Sequence, residues 1–388
     1  MKEPREILNQ PDAKKRLEAL RGLTARLPAR PATPGSRSLV NNHIHTFFSF
    51  SPYSPTLAIW LAREAGLESA GIMDHDTVAG AEEFLEAGTI INLPTTVGVE
   101  CRADFSMTAL KGRSINHPDQ VSTGYIALHG IPRTRLKEVQ DFFTPLIKKR
   151  NARNKEMTGR LDTLLRAHGM ALEFEKDVMP ISQYAGGGVI TERHLLYAAA
   201  LKIEESKRRG PRLVSFLEEA LKISLTRKMK LLLSDPDNPY YSYDLLGALK
   251  SAWTPAFYIP AREECSSVEE VVALAERTGS IMAYAYLGDV ANSVTGDKKS
   301  QKFEDDYLDL LFDELKRLRF QAVTYMPTRN TPAQLKRVQM LCRKHGLLEI
   351  SGEDINSPRQ SFICEALSRP EFHHLIDMTW TLVARTRS

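Results

Sequence analysis

The sequence predicts an α/β fold, a barrel of alternating strands and helices that is interrupted by a helical segment. Two stretches, 38–133 and 250–365, alternate short apolar runs with helical patterns, which is typical of βα units. Between them, residues 134–249 show long helical patterns with many basic side chains. Because one barrel can be built from both alternating stretches, we expect parallel strands, with the first and last strands as neighbours and 134–249 as an insertion.

Three strands are predicted in the front half of the chain. The first begins near Leu39 and carries two histidines, and the next two cover 69–73 and 96–100. A helix between the first two strands is indicated by Ser54 as N-cap, by Pro55 at its first position and by Gly66 just past its end.

The back half returns to the same alternation after residue 258. A capping-box pattern at 266–269 opens a helix that ends at Gly279, and a strand follows at 280–286. A further strand is expected at 320–325. The helix after it begins at Thr331-Pro332 and closes at Gly346, and a last strand covers 347–351.

The two ends of the chain are predicted to lie outside the barrel. Residues 1–37 form a helical extension that runs into a linker of Pro, Arg and Ser at 28–38. Residues 366–388 form a helical tail.

Composition limits the classes of protein. The chain has 388 residues with 52 basic and 48 acidic side chains, and its net charge of +4 is too small to favour nucleic acid as an obligatory partner. The four cysteines show no CxxC spacing, so we expect reduced thiols in a cytoplasmic protein. No apolar run has the length of a membrane span, and the N-terminus lacks the apolar segment of a signal peptide.

Ionisable side chains follow the predicted strands of the front half. His43 and His45 are spaced i, i+2, so on an extended segment both imidazoles point to the same side, as in a metal site. The second strand leads into Asp74-His75-Asp76, and the third ends at Glu100. Taken singly, each group has a structural alternative: the histidines can be surface groups, and Asp76 or Thr77 can cap a helix. Together, at the ends of consecutive strands, they favour a metal site.

Three motifs in this order resemble the PHP (polymerase and histidinol phosphatase) superfamily, over residues 39–360. They are His43-Ile44-His45-Thr46, Met73-Asp74-His75-Asp76 and Gly98-Val99-Glu100. The chain is similar to the stand-alone phosphoesterases of that superfamily, which carry a helical insertion. The resemblance implies a distorted (β/α)7 barrel of the PHP type and one metal ion bound by His43, His45, Glu100 and Asp354.

The chain departs from the pattern of that superfamily at four positions where a metal ligand is expected. They are Phe50, Tyr125, Tyr284 and Asn356. The second ion of the superfamily would keep only His75 and the shared Glu100. The resemblance therefore implies a centre reduced to one divalent transition metal ion, and two imidazoles with two carboxylates suit Zn, Mn or Fe.

The resemblance implies a metal-dependent hydrolase acting on a small phosphorylated substrate, a metabolite or a nucleotide. His75 or Asp76 would act as general acid or base. Arg150, Arg153 and Arg193 would bind the phosphate, although each of them can equally be a solvated helix charge.

A second hypothesis is a PHP domain without catalysis that binds a metal or ligand as a structural or regulatory module. The missing ligands favour this module. The intact four-ligand set favours the enzyme, because imidazoles and carboxylates crowded in a pocket are costly unless a metal or substrate compensates them. The sequence predicts no oligomeric state.

Overall fold

The computed structural model describes residues 3–25, 39–290 and 301–388, and its centre is a mixed β-sheet. The strands are β1 (Val40–Ile44), β2 (Ser69–His75), β3 (Thr95–Asp104), β4 (Thr123–His129), β5 (Ser266–Ser267), β6 (Ile281–Ala285), β7 (Ala322–Tyr325) and β8 (Leu348–Ser351). The sheet runs in the order β1-β2-β3-β4-β6-β7-β8, and the short β5 pairs with β3. The predicted linker at 28–38 lies outside the described residues.

The helices of the described residues surround this sheet and fill the stretch between β4 and β5. They are α1 (Pro4–Ile7), α2 (Ala13–Thr24), α3 (Pro55–Glu64), α4 (Ala81–Ile90), α5 (Leu136–Arg166), α6 (Glu192–Lys207), α7 (Pro211–Ser215), α8 (Arg227–Ser234), α9 (Tyr241–Phe257), α10 (Val268–Thr278), α11 (Leu308–Arg317), α12 (Pro332–His345) and α13 (His373–Arg387). Short 3-10 or π turns lie at Arg133–Arg135, Phe174–Val178, Met179–Ile181, Tyr184–Gly186, Phe216–Ala220, Asp305–Tyr307, Glu365–Ser368 and Pro370–Phe372.

The sheet differs from the expected parallel barrel at β4. Strands β1, β2 and β3 are parallel, as are β6, β7 and β8, but β4 is antiparallel to both of its neighbours. The connection from β3 to β4, residues 105–122, contains no helix, so this part of the chain does not form the βαβ unit that usually sets two strands parallel.

The first and last strands are neighbours, as the sequence predicts. Ile44 forms a parallel bridge with Ile355, just after β8. The His45 amide donates to the Ile355 carbonyl at 2.9 Å, and the Ile355 amide donates to the His43 carbonyl at 3.0 Å. The sheet therefore curls until its two ends meet, which is compatible with the predicted distorted barrel.

The helix signals of the sequence are confirmed in the structure, with one shift. Ser54 caps α3 by accepting a hydrogen bond from the Leu57 amide, with Pro55 at the first position. The capping box of α10 is formed by Ser267 and Glu270, one residue later than predicted. Helix α12 begins after Thr331 as predicted.

Buried side chains form two large clusters. One fills the space between the sheet and its surrounding helices, and α2, α3, α4, α10, α11 and α12 all contribute to it. The other is built from residues between 157 and 257, with Phe50 as its one member from the β1–α3 loop. The domain boundaries themselves stay a prediction. Within the described residues, no helix combines the length and the apolar character needed to cross a membrane.

Candidate metal centre

Strand β1 and the residue after it carry two imidazoles to the point where the two ends of the curled sheet meet. His43 and His45 are 8 % and 1 % exposed, and their Nε2 atoms lie 3.1 Å apart. Both rings turn inward because residues two apart on an extended chain share a face. The bridge to Ile355 fixes the backbone on either side of them.

Two carboxylates approach this pair from different strands. Oε2 of Glu100, on β3, lies 3.8 Å from Nε2 of His43 and 4.0 Å from Nε2 of His45. Oδ1 of Asp354, just after β8, lies 3.3 Å from Nε2 of His45. Ligand atoms bound about 2.0–2.2 Å from a tetrahedral zinc ion lie roughly 3.3–3.6 Å apart. The mutual spacing of His43, His45 and Glu100 therefore fits one transition metal ion, and Asp354 lies beside His45 as a further candidate ligand.

A third imidazole lies beside the same group. Nδ1 of His75, at the end of β2, is 3.2 Å from Oε2 of Glu100, and its ring centroid is 4.6 Å from that of His45. Burial and the neighbouring His45 and Arg150 place the pKa of His75 well below its ordinary value. His75 is therefore neutral at pH 7 and able to accept a proton or to bind a metal.

The electrostatics of the candidate centre reflect its burial. Burial, with the neighbouring His45, lowers the pKa of His43 to about 4. Burial raises the pKa of Glu100 to about 8, against the opposing charge of His45. Although burial disfavours its charge, the hydrogen bond to His45 and the nearby imidazoles hold the pKa of Asp354 below its ordinary value. Carboxylates of unlike pKa in one small space mark a functional-site candidate.

Asp74 supports the centre from behind. Its carboxylate accepts hydrogen bonds from the Thr46 amide at 2.7 Å, from the Thr46 hydroxyl at 2.5 Å and from the Ser49 hydroxyl at 2.6 Å. The Ser49 hydroxyl also lies 3.3 Å from Nδ1 of His45. A partner on the far ring nitrogen fixes the orientation of a ligating histidine. Asp74 thus orients His45 through Ser49.

The positions that lack an expected ligand have other contacts. Phe50 packs edge-on against His194 in the second buried cluster. The Tyr284 hydroxyl donates to buried Glu304 at 3.3 Å, and Tyr284 does not line the cavity at the centre. Tyr125 stacks on His117 with ring centroids 5.2 Å apart, and Asn356 donates to Asp354 at 2.7 Å.

Asp76 and two of the predicted phosphate-binding arginines belong to a buried charge network. Arg150 pairs with Asp76 and, at 3.0 Å, with Glu192. Arg153 pairs with Glu192 at 2.6 Å and with Glu264. The alternative in which Asp76 or Thr77 caps a helix is wrong, because the following helix, α4, begins at Ala81 with Gly80 as its N-cap.

Arg102 is a member of this network that the sequence analysis missed. It is 5 % exposed and donates to Glu192 at 3.1 Å. Although burial disfavours its charge, three arginines hold the pKa of Glu192 well below its ordinary value. A sequence signal existed, because Arg102 follows Glu100 by two residues and therefore lies on the same face of β3.

A cavity of about 250 Å³ opens above the metal centre. His43, His45, His75, Glu100 and Asp354 line one side of it. Among the described residues, Arg150 and Arg193 also line it, whereas Asp76 and Arg153 do not. The guanidinium carbon of Arg193 lies 4.9 Å from the centroid of the Phe50 ring.

Several lining residues carry no motif that would have revealed them. They are Asn116, His117, Asp119, Lys250, Thr254, Phe257, Tyr258, Tyr286 and Met326. They come from the β3–β4 connection, from α9 and the residue after it, and from the ends of β6 and β7. Only the folded chain brings these separate segments to one cavity.

Comparison with known proteins places the fold. No family profile matches the chain. No curated protein matches it either. Solved structures do match the chain. One is a proposed metal-dependent phosphoesterase from Bifidobacterium adolescentis, which superposes with a TM-score of 0.56 at 19 % sequence identity. The superposition covers 92 % of this chain and 98 % of that one. An amidohydrolase from Chromobacterium violaceum, solved with bound sulfate and no metal, has a TM-score of 0.56 at 16 % identity, covering 90 % and 97 %.

The chain therefore shares the fold of two proteins named as hydrolases over nearly their full length. At these identities the likeness shows the fold alone. The reaction that this centre supports depends on its own residues.

Proposed function

We propose that the protein is a metal-dependent hydrolase that cleaves phosphate esters of small molecules with one divalent transition metal ion. The observation that carries this proposal is the meeting of His43, His45 and Glu100 at the floor of a cavity, with donor atoms 3.1 to 4.0 Å apart, and of Asp354, whose Oδ1 lies 3.3 Å from Nε2 of His45. The shared fold with a proposed phosphoesterase supports it.

A bound Zn, Mn or Fe ion would supply a nucleophile at neutral pH and a positive charge for the phosphoryl oxygens. His43, His45, Glu100 and Asp354 would hold it, and Ser49 would fix the ring of His45. A single ion is proposed because Phe50 and Tyr284 offer neither the carboxylate nor the imidazole of a second site.

Proton transfer is assigned to His75. It lines the cavity, its ring is neutral at pH 7, and its Nδ1 atom is held by Glu100. Asp76 does not reach the cavity and is paired with Arg150. We therefore propose that Asp76 orients Arg150 and does not transfer the proton. Burial raises the pKa of Asp76.

The phosphate would be bound by Arg150 and Arg193 on the cavity wall. Arg153 would act indirectly by holding Glu192, which in turn holds Arg150. A cavity of about 250 Å³ suits a small ester, and a net charge of +4 offers no broad basic surface for a nucleic-acid backbone.

A second candidate function is a non-catalytic module that binds a metal or an anion. Phe50 and Tyr284 favour it, because both replace groups that a multinuclear centre would need. The two functions differ in turnover alone.

The deciding experiment is a screen of phosphomonoesters and small phosphodiesters with the purified protein loaded with Zn, Mn or Fe. We expect metal-dependent release of phosphate that a chelator abolishes and that His45→Ala lacks. Stoichiometric metal without turnover on any ester would favour the module instead.

A further inference from the structure

The loop between β1 and α3, residues 46–54, is held from outside by the N-terminal segment. Nδ2 of Asn9 donates to the Pro52 carbonyl at 2.9 Å, and Oδ1 of Asn9 accepts from the Ser54 amide at 2.7 Å. The Ser54 hydroxyl donates to the Leu8 carbonyl at 2.5 Å. Three hydrogen bonds thus tie residues 8–9 to the end of the loop.

Arg16 fastens the same segment to the barrel beside the loop. It is 2 % exposed and donates to both oxygens of Glu83 on α4, at 2.8 and 2.5 Å. Glu83 also accepts from the hydroxyl of Thr56, at the start of α3, at 2.6 Å. The guanidinium carbon of Arg16 lies 5.1 Å from the centroid of the Phe47 ring, near the start of the loop. Arg16 therefore anchors the segment that carries Asn9.

The inner side of the loop reaches the metal centre. The Phe47 amide donates to the Tyr53 carbonyl at 2.8 Å, which closes the loop on itself. Ser49, inside that closure, bonds Asp74 and lies 3.3 Å from Nδ1 of His45. A shift of the loop would move the Ser49 hydroxyl away from this ring nitrogen.

We propose that Asn9 is a positioning residue of the metal centre. By fixing residues 52–54 it keeps the loop in the form that places Ser49 against His45, so the N-terminal segment sets the metal affinity. This inference rests on the metal binding of the proposed function and adds its dependence on a segment outside the barrel.

The test compares Asn9→Ala with Arg21→Gln. Arg21 is a matched control because it also joins the N-terminal segment to α4, through an exposed pair with Glu86 at 2.5 Å that does not touch the loop. Zinc affinity is measured by competition with a chromophoric chelator, and the Tm of the metal-free proteins is recorded. We expect Asn9→Ala to weaken zinc binding roughly threefold to tenfold, the effect of one or two net hydrogen bonds, and Arg21→Gln to leave it unchanged.

A merely structural role of Asn9 gives a different result. It would lower the Tm of metal-free Asn9→Ala with no change in zinc affinity, and that outcome overturns the proposal.

The double variant tests the route through Ser49. Ser49→Ala should weaken zinc binding roughly tenfold or more, as the loss of such a supporting group does in other metal sites. Because Asn9 acts through Ser49, the double variant Asn9→Ala/Ser49→Ala should bind zinc no more weakly than Ser49→Ala alone. Fully additive losses would overturn the proposed route.

Hydrogen exchange of the metal-free protein separates this proposal from the proposed function. The amides of residues 47–53 should exchange faster in Asn9→Ala and at the wild-type rate in Arg21→Gln. Wild-type protein that binds none of Zn, Mn and Fe would contradict the proposed function, while unchanged exchange in Asn9→Ala would contradict the positioning role. If the zinc affinities change as expected but no ester is hydrolysed, only the proposed phosphoesterase activity is contradicted.

Discussion

Nε2 of His45 lies 3.3 Å from Oδ1 of Asp354, and this pair joins the first strand of the barrel to the segment after its last strand. His45 is 1 % exposed at its side chain and Asp354 is 35 % exposed, so the carboxylate lies on the cavity side of the ring. A metal held between them would also hold together the two ends of the curled sheet.

We therefore predict that either His45→Ala or Asp354→Ala lowers the metal content and removes the stabilisation that metal gives. A ligand that binds only the folded state at a hundred times its Kd adds about 2.7 kcal/mol to the free energy of unfolding. Elemental analysis and thermal melts with and without zinc measure both effects. His374→Ala, an exposed histidine on α13 beside Glu349, serves as the control and should keep its metal.

Wild-type protein should carry one ion per chain. Two stoichiometric ions would contradict the reduced centre and point to a further ligand such as His117, which lines the cavity.

Glu100→Gln should stabilise the metal-free protein at high pH and abolish zinc binding. Folded Glu100 keeps its proton up to about pH 8, whereas the unfolded chain loses it near the ordinary value of 4.5. The folded state binds more protons within this window, so wild-type stability falls as the pH rises through it. The variant lacks this loss, and at pH 8 it should be more stable than the metal-free wild type by an amount on the order of a few kcal/mol. Urea unfolding at pH 4.5 and pH 8 measures the difference, and an equal effect at both pH values would contradict the raised pKa.

The same proton competes with the metal at Glu100. Zinc affinity of the wild type should rise with pH until about pH 8, because metal binding has to displace the proton from this carboxyl. A zinc affinity that is flat between pH 6 and pH 8 would show that Glu100 is already ionised.

His75→Ala should abolish hydrolysis while keeping most of the metal. Its ring contacts Glu100 at 3.2 Å, but a complete donor set without it remains. Kinetics on the best ester and elemental analysis of the same sample give the two readings. Full activity in His75→Ala would show that another group transfers the proton. Loss of the metal in this variant would show that His75 is a ligand.

The part of the site that the sequence predicted lies on three parallel strands. His43, His45 and His75 lie at or just after the ends of β1 and β2, whereas Glu100 lies within β3, which continues to Asp104 instead of ending at Glu100 as predicted. Parallel pairing still sets these side chains near one another, as in the register of His75 with Glu100. Asp354 followed from the closure of the barrel, which the Ile44–Ile355 bridge confirms.

What the sequence could not predict depends on packing between distant segments. Strand β4 runs antiparallel to both of its neighbours, and its residues show no pattern that separates the two directions. Lys250 and Tyr258 reach the cavity only because α9 packs against α5 and α6. The pairing of Arg150 with Asp76 likewise needs the folded contact between α5 and the end of β2.

Arg150→Met should lower the free energy of unfolding, in addition to any effect on substrate binding. Arg150 is 4 % exposed and neutralises Asp76 and Glu192, and removing one member of a buried charge pair costs about 3–5 kcal/mol. Urea unfolding measures this loss. Glu192 keeps its pairs with Arg102 and Arg153, whereas Asp76 loses its ion pair. Adding Asp76→Asn removes that uncompensated charge, so the double variant should recover part of the stability. A double variant no more stable than Arg150→Met would contradict the pairing.

Arg193 offers the cleaner test of phosphate binding. It lines the cavity and lies over the Phe50 ring, outside the cluster of Arg102, Arg150 and Arg153. We expect Arg193→Ala to raise KM for a phosphate ester roughly tenfold or more, the effect of one lost charge-assisted hydrogen bond, with a smaller change in kcat. Arg193→Lys should recover part of the loss because it keeps the charge but not the forked geometry. The Tm of both variants, recorded alongside, measures how much the contact with Phe50 contributes to stability. If KM is unchanged in Arg193→Ala, the phosphate lies against another group of the cavity wall, and Lys250 is then the next residue to replace.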